Sequence, residues 1–220
     1  MQRKPPSRKQ RSTRSRRAKR TRRANAVQRG QKRPSSAHQQ RGAELSSSCF
    51  DAPEVWHEPT ESDGIRFVTI APGKGHFHAV TASEARDRIA ELPERFTRGV
   101  DVVQFSPMTK KRAIFPVYGM QWGSTVYLYP IEENLTEIYS RPPQPQVVID
   151  TKMYGGQWSE TRDSWVLTWT RKTIRDYYLN NILIHEIGHI NDERNTSYRD
   201  RERWANWFAI EYGFKRSRRP

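Results

Sequence analysis

Apolar positions follow a helical period most clearly in one part of this chain. Over residues 175–192, Leu179, Leu183, Ile187 and Ile190 form an i, i+4, i+8, i+11 stripe, and no Gly or Pro interrupts before Gly188. Tyr178, Ile182, His185 and His189 fall on a neighbouring face of the same helix. A second helix is expected over residues 201–212, with Asp200 as its N-cap and Gly213 as the residue that ends it. A third is expected over residues 81–92, with Thr81 or Ser83 as cap, Glu84 near the first turn and Pro93 as the stop. The two-residue period of a strand is clearest over residues 164–170, where Trp165, Leu167 and Trp169 alternate with Val166, Thr168 and Thr170. Runs rich in Val, Ile, Phe and Tyr predict further strands at residues 65–70, 100–105, 113–118 and 124–129. Residues 119–123, bounded by two glycines, would turn between the last two strands and make a hairpin. Residues 146–150 read as one more strand after a proline-rich crossing at 141–145. The expected fold is α+β: a small mixed or antiparallel sheet packed on the long helix and on a C-terminal helix.

Charge changes this picture at the N-terminus. Residues 1–43 hold 16 of the 39 Lys and Arg and no Asp or Glu, so the rest of the chain carries 23 basic and 24 acidic residues. The high isoelectric point therefore belongs to the tail. That stretch has no aromatic residue and too little apolar surface to offset its ordering entropy, so disorder is expected over 1–43. Its densest run contains Arg14, Arg16, Arg17, Lys19, Arg20, Arg22 and Arg23, and would neutralise DNA or RNA phosphates with little sequence preference. Without aromatics to stack on bases, it is not a sequence-reading single-strand binder. A tail that only aids solubility is the alternative. The expected organisation is this tail, one domain over 44–214 and a short basic end at 215–220.

A single cysteine, Cys49, excludes an intramolecular disulfide and the cysteine-rich zinc ribbons and fingers. No apolar run approaches the 18 residues of a membrane span, and no hydrophobic segment follows the basic start as in a secretory signal. A soluble, cytoplasmic protein is expected.

The chemistry concentrates in His185-Glu186-Ile187-Gly188-His189, an H-E-x-x-H pattern. Four residues of helix advance about 6 Å and slightly over one turn, which sets both imidazoles on one face. Two neutral imidazoles at that spacing suit Zn²⁺. Glu186, one step round the helix, would act as general base on a water acidified by the ion. Buried histidines and a glutamate on the inner face of a purely structural helix would each need a partner. Gly188 costs about 1 kcal/mol in a helix interior relative to Ala, which implies a close neighbour there. His76 and His78, two apart, are a weaker candidate metal pair and read better as ordinary hydrogen-bonded histidines.

A zinc site of this kind takes a third protein ligand. No histidine follows His189, which leaves Asp192, Glu193, Asp200, Glu202 and Glu211. On a continuous helix Glu193 would lie about 12 Å along the axis from His185, too far for one ion. The polar stretch 191–197 can instead turn the chain back, and Glu202, Ala205, Asn206 and Ala209 then share one face of the returning helix. Glu202 is the chosen third ligand, against the alternative of a surface carboxylate in an ion pair. Asn206 would hydrogen-bond a ligand, and Tyr198, Arg201 and Tyr212 are candidate donors to a developing oxyanion. The strand at 164–170 is a candidate edge for pairing with an extended peptide.

His185-Glu-Ile-Gly-His189 followed by Glu202-Arg-Trp-Ala205-Asn206-Trp-Phe208-Ala209 resembles the ImmA/IrrE family of zinc metallopeptidases. The likeness covers about residues 180–212. It implies a gluzincin-like peptidase core binding one Zn²⁺, with Glu202 as third ligand and a protein or peptide as substrate. Members of that family typically cut transcriptional repressors. The leucine-rich continuation usual in the family is replaced here by Ile210-Glu-Tyr-Gly-Phe214 and a basic end, and the common helix-turn-helix domain is not visible. The second function class is a non-enzymatic, nucleic-acid-associated protein with a structural metal site.

Overall fold

The computed structural model describes residues 52–58, 64–114 and 116–219. The basic stretch 1–43, with Arg14 to Arg23, and Cys49 lie outside the described residues. The described chain is α+β, built from small sheets and helices. None of its helices is long and apolar enough to cross a membrane.

Three strands rich in β-branched and aromatic residues pair in parallel: β1 (Arg66–Thr69), β3 (Val102–Phe105) and β5 (Thr125–Leu128). Strands β3 and β5 are buried along their whole length, as expected where both faces of a parallel sheet are covered. The helix α1 (Ala82–Ala90) lies between β1 and β3 in sequence, opens with a capping box of Thr81 and Glu84, and is followed by the one-turn α2 (Glu94–Thr97). A fourth strand, β4 (Gly119–Trp122), runs antiparallel to β5 and pairs with no other described strand, so it is a free edge.

Strand β2 (His76–Phe77) forms a short ladder with β6 (Ile131–Glu132). A second, antiparallel sheet has the order β7 (Thr136–Tyr139), β9 (Trp165–Thr168), β8 (Gln157–Glu160). Val103, Phe105, Val126 and Leu128 point into the main core, which they share with the long helix. On the opposite face the segment 52–58 lies across the sheet. The hydroxyl of Tyr127 donates to the Val55 carbonyl, and His57 Nε2 sits 2.5 Å from Gln104 Oε1.

The sequence patterns misplace three elements. Residues 113–118 were expected as a strand, but α3 (Lys110–Ile114) occupies their start and the strand lies four to six residues later, in β4. The expected turn at 119–123 shrinks to Gly123 and Ser124, with Gly123 at positive φ. Residues 146–150 form part of α4 (Pro145–Met153), because Pro145 occupies the first helical position, where its missing N–H costs nothing. The strand at 164–170 exists as β9, but it is central in its sheet and has no free edge for a peptide.

The long helix is three segments in line: α5 (Arg171–Tyr177), a π-helical stretch (Tyr178–Ile182) and α6 (Leu183–Ile190). The returning helix is α7 (Tyr198–Phe208), followed by a second π-helical stretch (Ala209–Phe214) and the short α8 (Lys215–Ser217). Gly213 is thus interior and does not end the helix. A Cβ there would lie 1.9 Å from the Asn180 carbonyl oxygen, so the glycine is what lets the two π-helical stretches touch. Asn180 is further held by Arg88, which donates to its Oδ1 at 2.6 Å, and by the Tyr154 hydroxyl, which donates to its carbonyl at 2.7 Å.

A buried carboxyl joins the second sheet to the entry of β4. Glu137 accepts from the Tyr118 hydroxyl, from Trp169 Nε1 at 2.9 Å and from the Tyr139 hydroxyl at 3.5 Å. Burial pushes this carboxyl up to about 7, against the pull of those three donors. The folded protein therefore keeps a proton that an unfolded glutamate releases near 4.5. The resulting stabilisation is full below that value and is lost as pH rises through 7. Glu137→Gln should flatten the fall in urea midpoint between pH 5 and 8. An unchanged pH profile would contradict the assignment.

Candidate metal centre

The crossing of α6 and α7 assembles this centre. Asn191 ends α6 by donating from Nδ2 to the carbonyls of Ile187 and Phe96, each at 2.9 Å. Asp192 then gathers the turn, its Oδ1 accepting from the amides of Arg194 and Asn195. Ser197, and not Asp200, is the N-cap of α7: its hydroxyl accepts from the Asp200 amide at 3.2 Å. Asp200 sits in the first turn, where its charge suits the helix dipole.

Where the helices cross, a Cβ on Gly188 would lie 3.0 Å from Phe208 Cβ and 3.2 Å from Ala205 Cα. Trp204 Nε1 reinforces the crossing by donating to the Gly188 carbonyl at 3.2 Å. Glu202 lies three residues before Ala205, and His185 three before Gly188, so the same crossing sets the carboxylate opposite the imidazoles.

The resulting distances are short. His189 Nε2 is 3.1 Å from His185 Nε2 and 3.3 Å from Glu202 Oε1, and His185 Nε2 is 3.6 Å from Glu202 Oε2. Tetrahedral ligands at bond lengths of about 2.0–2.1 Å stand about 3.3 Å apart, so this spacing fits one small cation. Each of these nitrogen and oxygen atoms can offer a lone pair to one shared cation. His185, His189 and Glu202 could therefore hold a metal ion. The side chain of His185 is 3% exposed and that of Glu202 is 23%, so the group opens to solvent on the α7 side.

Glu186, next to His185 on α6, packs against the backbone of β4. It is 4% exposed, and a Cβ on Gly119 would lie 2.9 Å from its Oε1 and 2.6 Å from Ile182 Cγ2. Only a glycine lets the β4 backbone lie this close. Gln121, two residues along on the same face of β4, accepts from Arg201 Nη2 at 3.3 Å. Helix α6 thus forms a floor flanked by α7 and β4, and the Arg201–Gln121 contact bridges the two flanks.

The other sequence candidates fall in several places. Asn206 is half-buried one turn beyond Glu202 and hydrogen-bonds none of the three among the described residues. Tyr198 is 64% exposed at the start of α7. The Tyr212 ring packs against Phe96 and Phe208 in the core, and its carbonyl accepts from Arg88. His76 and His78 are turned to separate backbone carbonyls, those of Lys74 at 2.9 Å and Ile70 at 2.7 Å.

Sequence reasoning missed Gly119 and Gln121. Their signal was the alternation of Gly119 and Gln121 with Met120 and Trp122, masked by two flanking glycines that suggest a turn. A surface cavity of about 550 Å³ lies elsewhere, beside Tyr154, Asp176, Asn180 and Arg218, and none of the trio lines it. Comparison of the chain with protein-family models, curated proteins and solved structures gives no match.

Cobalt(II) titration of chelator-stripped protein, followed by visible absorption, tests the centre. One equivalent should bind. Glu202→Ala should weaken uptake by more than about 100-fold, beyond the 10–100-fold typical of losing an outer partner. Glu186→Gln should change uptake by less than about threefold, since that side chain faces β4. Equal uptake by wild type and Glu202→Ala would remove Glu202 from the ligand set.

Proposed function

We propose that this protein is a zinc-dependent metallopeptidase and that the sheet, α6 and α7 form a zincin-like peptidase core. The observation that carries this reading is the convergence of His185, His189 and Glu202, with Glu186 enclosed beside them against a free strand edge. Two imidazoles and one carboxylate are a borderline donor set that suits zinc. A structural zinc site normally closes with four protein ligands, whereas a catalytic one keeps three. The group here has three members among the described residues. The motif resemblance to the ImmA/IrrE family points the same way.

Zinc so held would lower the pKa of a coordinated water toward neutrality and polarise a peptide carbonyl. The protein's own side chains do the rest. Glu186 is fixed by its helix and by the neighbouring Gly119 backbone, and takes the proton from the attacking water on a carboxylate oxygen. It then returns that proton to the nitrogen of the departing amine. The free edge of β4 offers unpaired backbone groups along the floor, and an extended peptide can add there as a further strand.

The basic stretch 1–43 would hold the enzyme on DNA or RNA electrostatically, near substrates bound there.

Hydrolysis of a denatured protein substrate by zinc-loaded protein tests the reading. Glu186→Gln should lower the rate by about 10²–10⁴-fold, the range for losing a general base, while retaining zinc. Removing residues 1–43 should leave the rate unchanged and abolish salt-dependent binding to duplex DNA. A zinc-loaded wild type no faster than Glu186→Gln on any substrate would defeat the proposal.

A further inference from the structure

Three arginines among the described residues are drawn back from solvent: Arg88 and Arg112 are buried, and Arg201 is half-buried. Arg88 has the Glu91 carboxylate at 3.4 Å, and Arg112 has that of Glu54 at 3.2 Å. Arg201 has no carboxylate partner among the described residues. Its polar contact is with a neutral amide, Gln121 Oε1, at the long distance of 3.3 Å. Gln121 already donates from its own Nε2 to the Gly123 carbonyl at 2.5 Å, so its side chain is fixed.

A guanidinium carries five N–H donors in a planar fork that matches a carboxylate. Drawing such a group back from water favours an anionic partner, and the two buried arginines each have one. Arg201 directly precedes Glu202 and reaches across to Gln121, which faces the same side of β4 as Gly119. The unmatched charge therefore stands at the mouth of the floor between α7 and the free strand edge, where a bound peptide would pass.

We infer that Arg201 is a specificity-determining residue, and that this site selects peptides with an Asp or Glu side chain close to the cleaved bond. The substrate carboxylate takes the place on Arg201 that Glu91 and Glu54 take on the other two arginines. This inference rests on the peptidase reading above and names its substrate class.

The test uses full-length protein and decapeptide pairs that carry Asp or Glu, or the matching Asn or Gln, at each position in turn. Cleavage by the zinc-loaded wild type is read by mass spectrometry. Binding of the same labelled pairs to Glu186→Gln protein is read by fluorescence anisotropy. At one position the acidic member should be favoured about tenfold or more, chiefly through KM, as expected for a charge-assisted hydrogen bond. Arg201→Gln should reduce that ratio to within about twofold, and Arg201→Glu should shift the preference to Lys or Arg. Both variants keep the basic tail, which separates the effect of Arg201 from general attraction of acids, and cobalt uptake reports that each remains folded.

Equal handling of acid and amide by wild type, or an acid preference that survives in Arg201→Gln, overturns the inference. So does an equal loss of rate on both members, which would make Arg201 an oxyanion donor. Cleavage without acid preference defeats this inference and leaves the peptidase reading standing. Acid-selective binding that depends on Arg201, without any cleavage, does the reverse.

Discussion

The close approach of α6 and α7 at Gly188 is the constraint on which the candidate centre depends. A side chain there would press on Phe208 Cβ at 3.0 Å and on the Ala205 backbone at 3.2 Å. A methyl group there would require its neighbours on α7 to give by a few tenths of an ångström. Because Glu202 reaches the histidines from the far side of that crossing, at 3.3 and 3.6 Å, a shift of even half an ångström would change the ligand spacing. The cost of glycine in a helix interior, about 1 kcal/mol, is the penalty for that geometry. Ala205 and the indole of Trp204, bonded to the Gly188 carbonyl, complete the joint.

A second close approach, at Gly119, places the free strand against the same helix. It depends on packing well away from the three candidate ligands. The Tyr118 hydroxyl is tied to the buried Glu137, and its ring meets Tyr177 and Tyr178 on the long helix at 5.4 and 5.8 Å. Tyr178 in turn donates to the Tyr129 carbonyl at 2.6 Å, at the end of β5. The strand that flanks Glu186 is thus registered on the helix by an aromatic cluster around one carboxyl. At the other end of the helix, Gly213 and Asn180 bring the two π-helical stretches into contact, so both helices are positioned by glycine contacts.

The trio of ligand candidates was legible because a helix repeats every 3.6 residues, so spacing alone sets His185 and His189 on one face. Glu202 needed one further step, the turn at 191–197. Strands were legible where apolar runs are continuous, as in 102–105 and 125–128, since both sheet faces are covered. β4 was not, because its inward positions are Gly119 and Gln121. Neither is apolar, and the site itself is the reason: one must admit Glu186 and the other meets Arg201. Helix α4 was missed because Val147, Val148 and Ile149 favour strands locally, while Pro145 starts a helix and Thr151 bonds back to the Val147 carbonyl at 2.8 Å. Gly213 looked like a helix end because glycine often is one, and its role as a contact exists only in three dimensions.

The proposed function stands or falls with one metal ion shared by two imidazoles and the Glu202 carboxylate. X-ray absorption at the zinc edge, on full-length protein loaded with one equivalent of zinc, tests it most directly. A shared ion should give a nitrogen and oxygen shell at about 2.0–2.1 Å, two sets of imidazole outer scattering and no sulfur. A sulfur neighbour at about 2.3 Å, which would bring in Cys49, or scattering from a single imidazole, would contradict it.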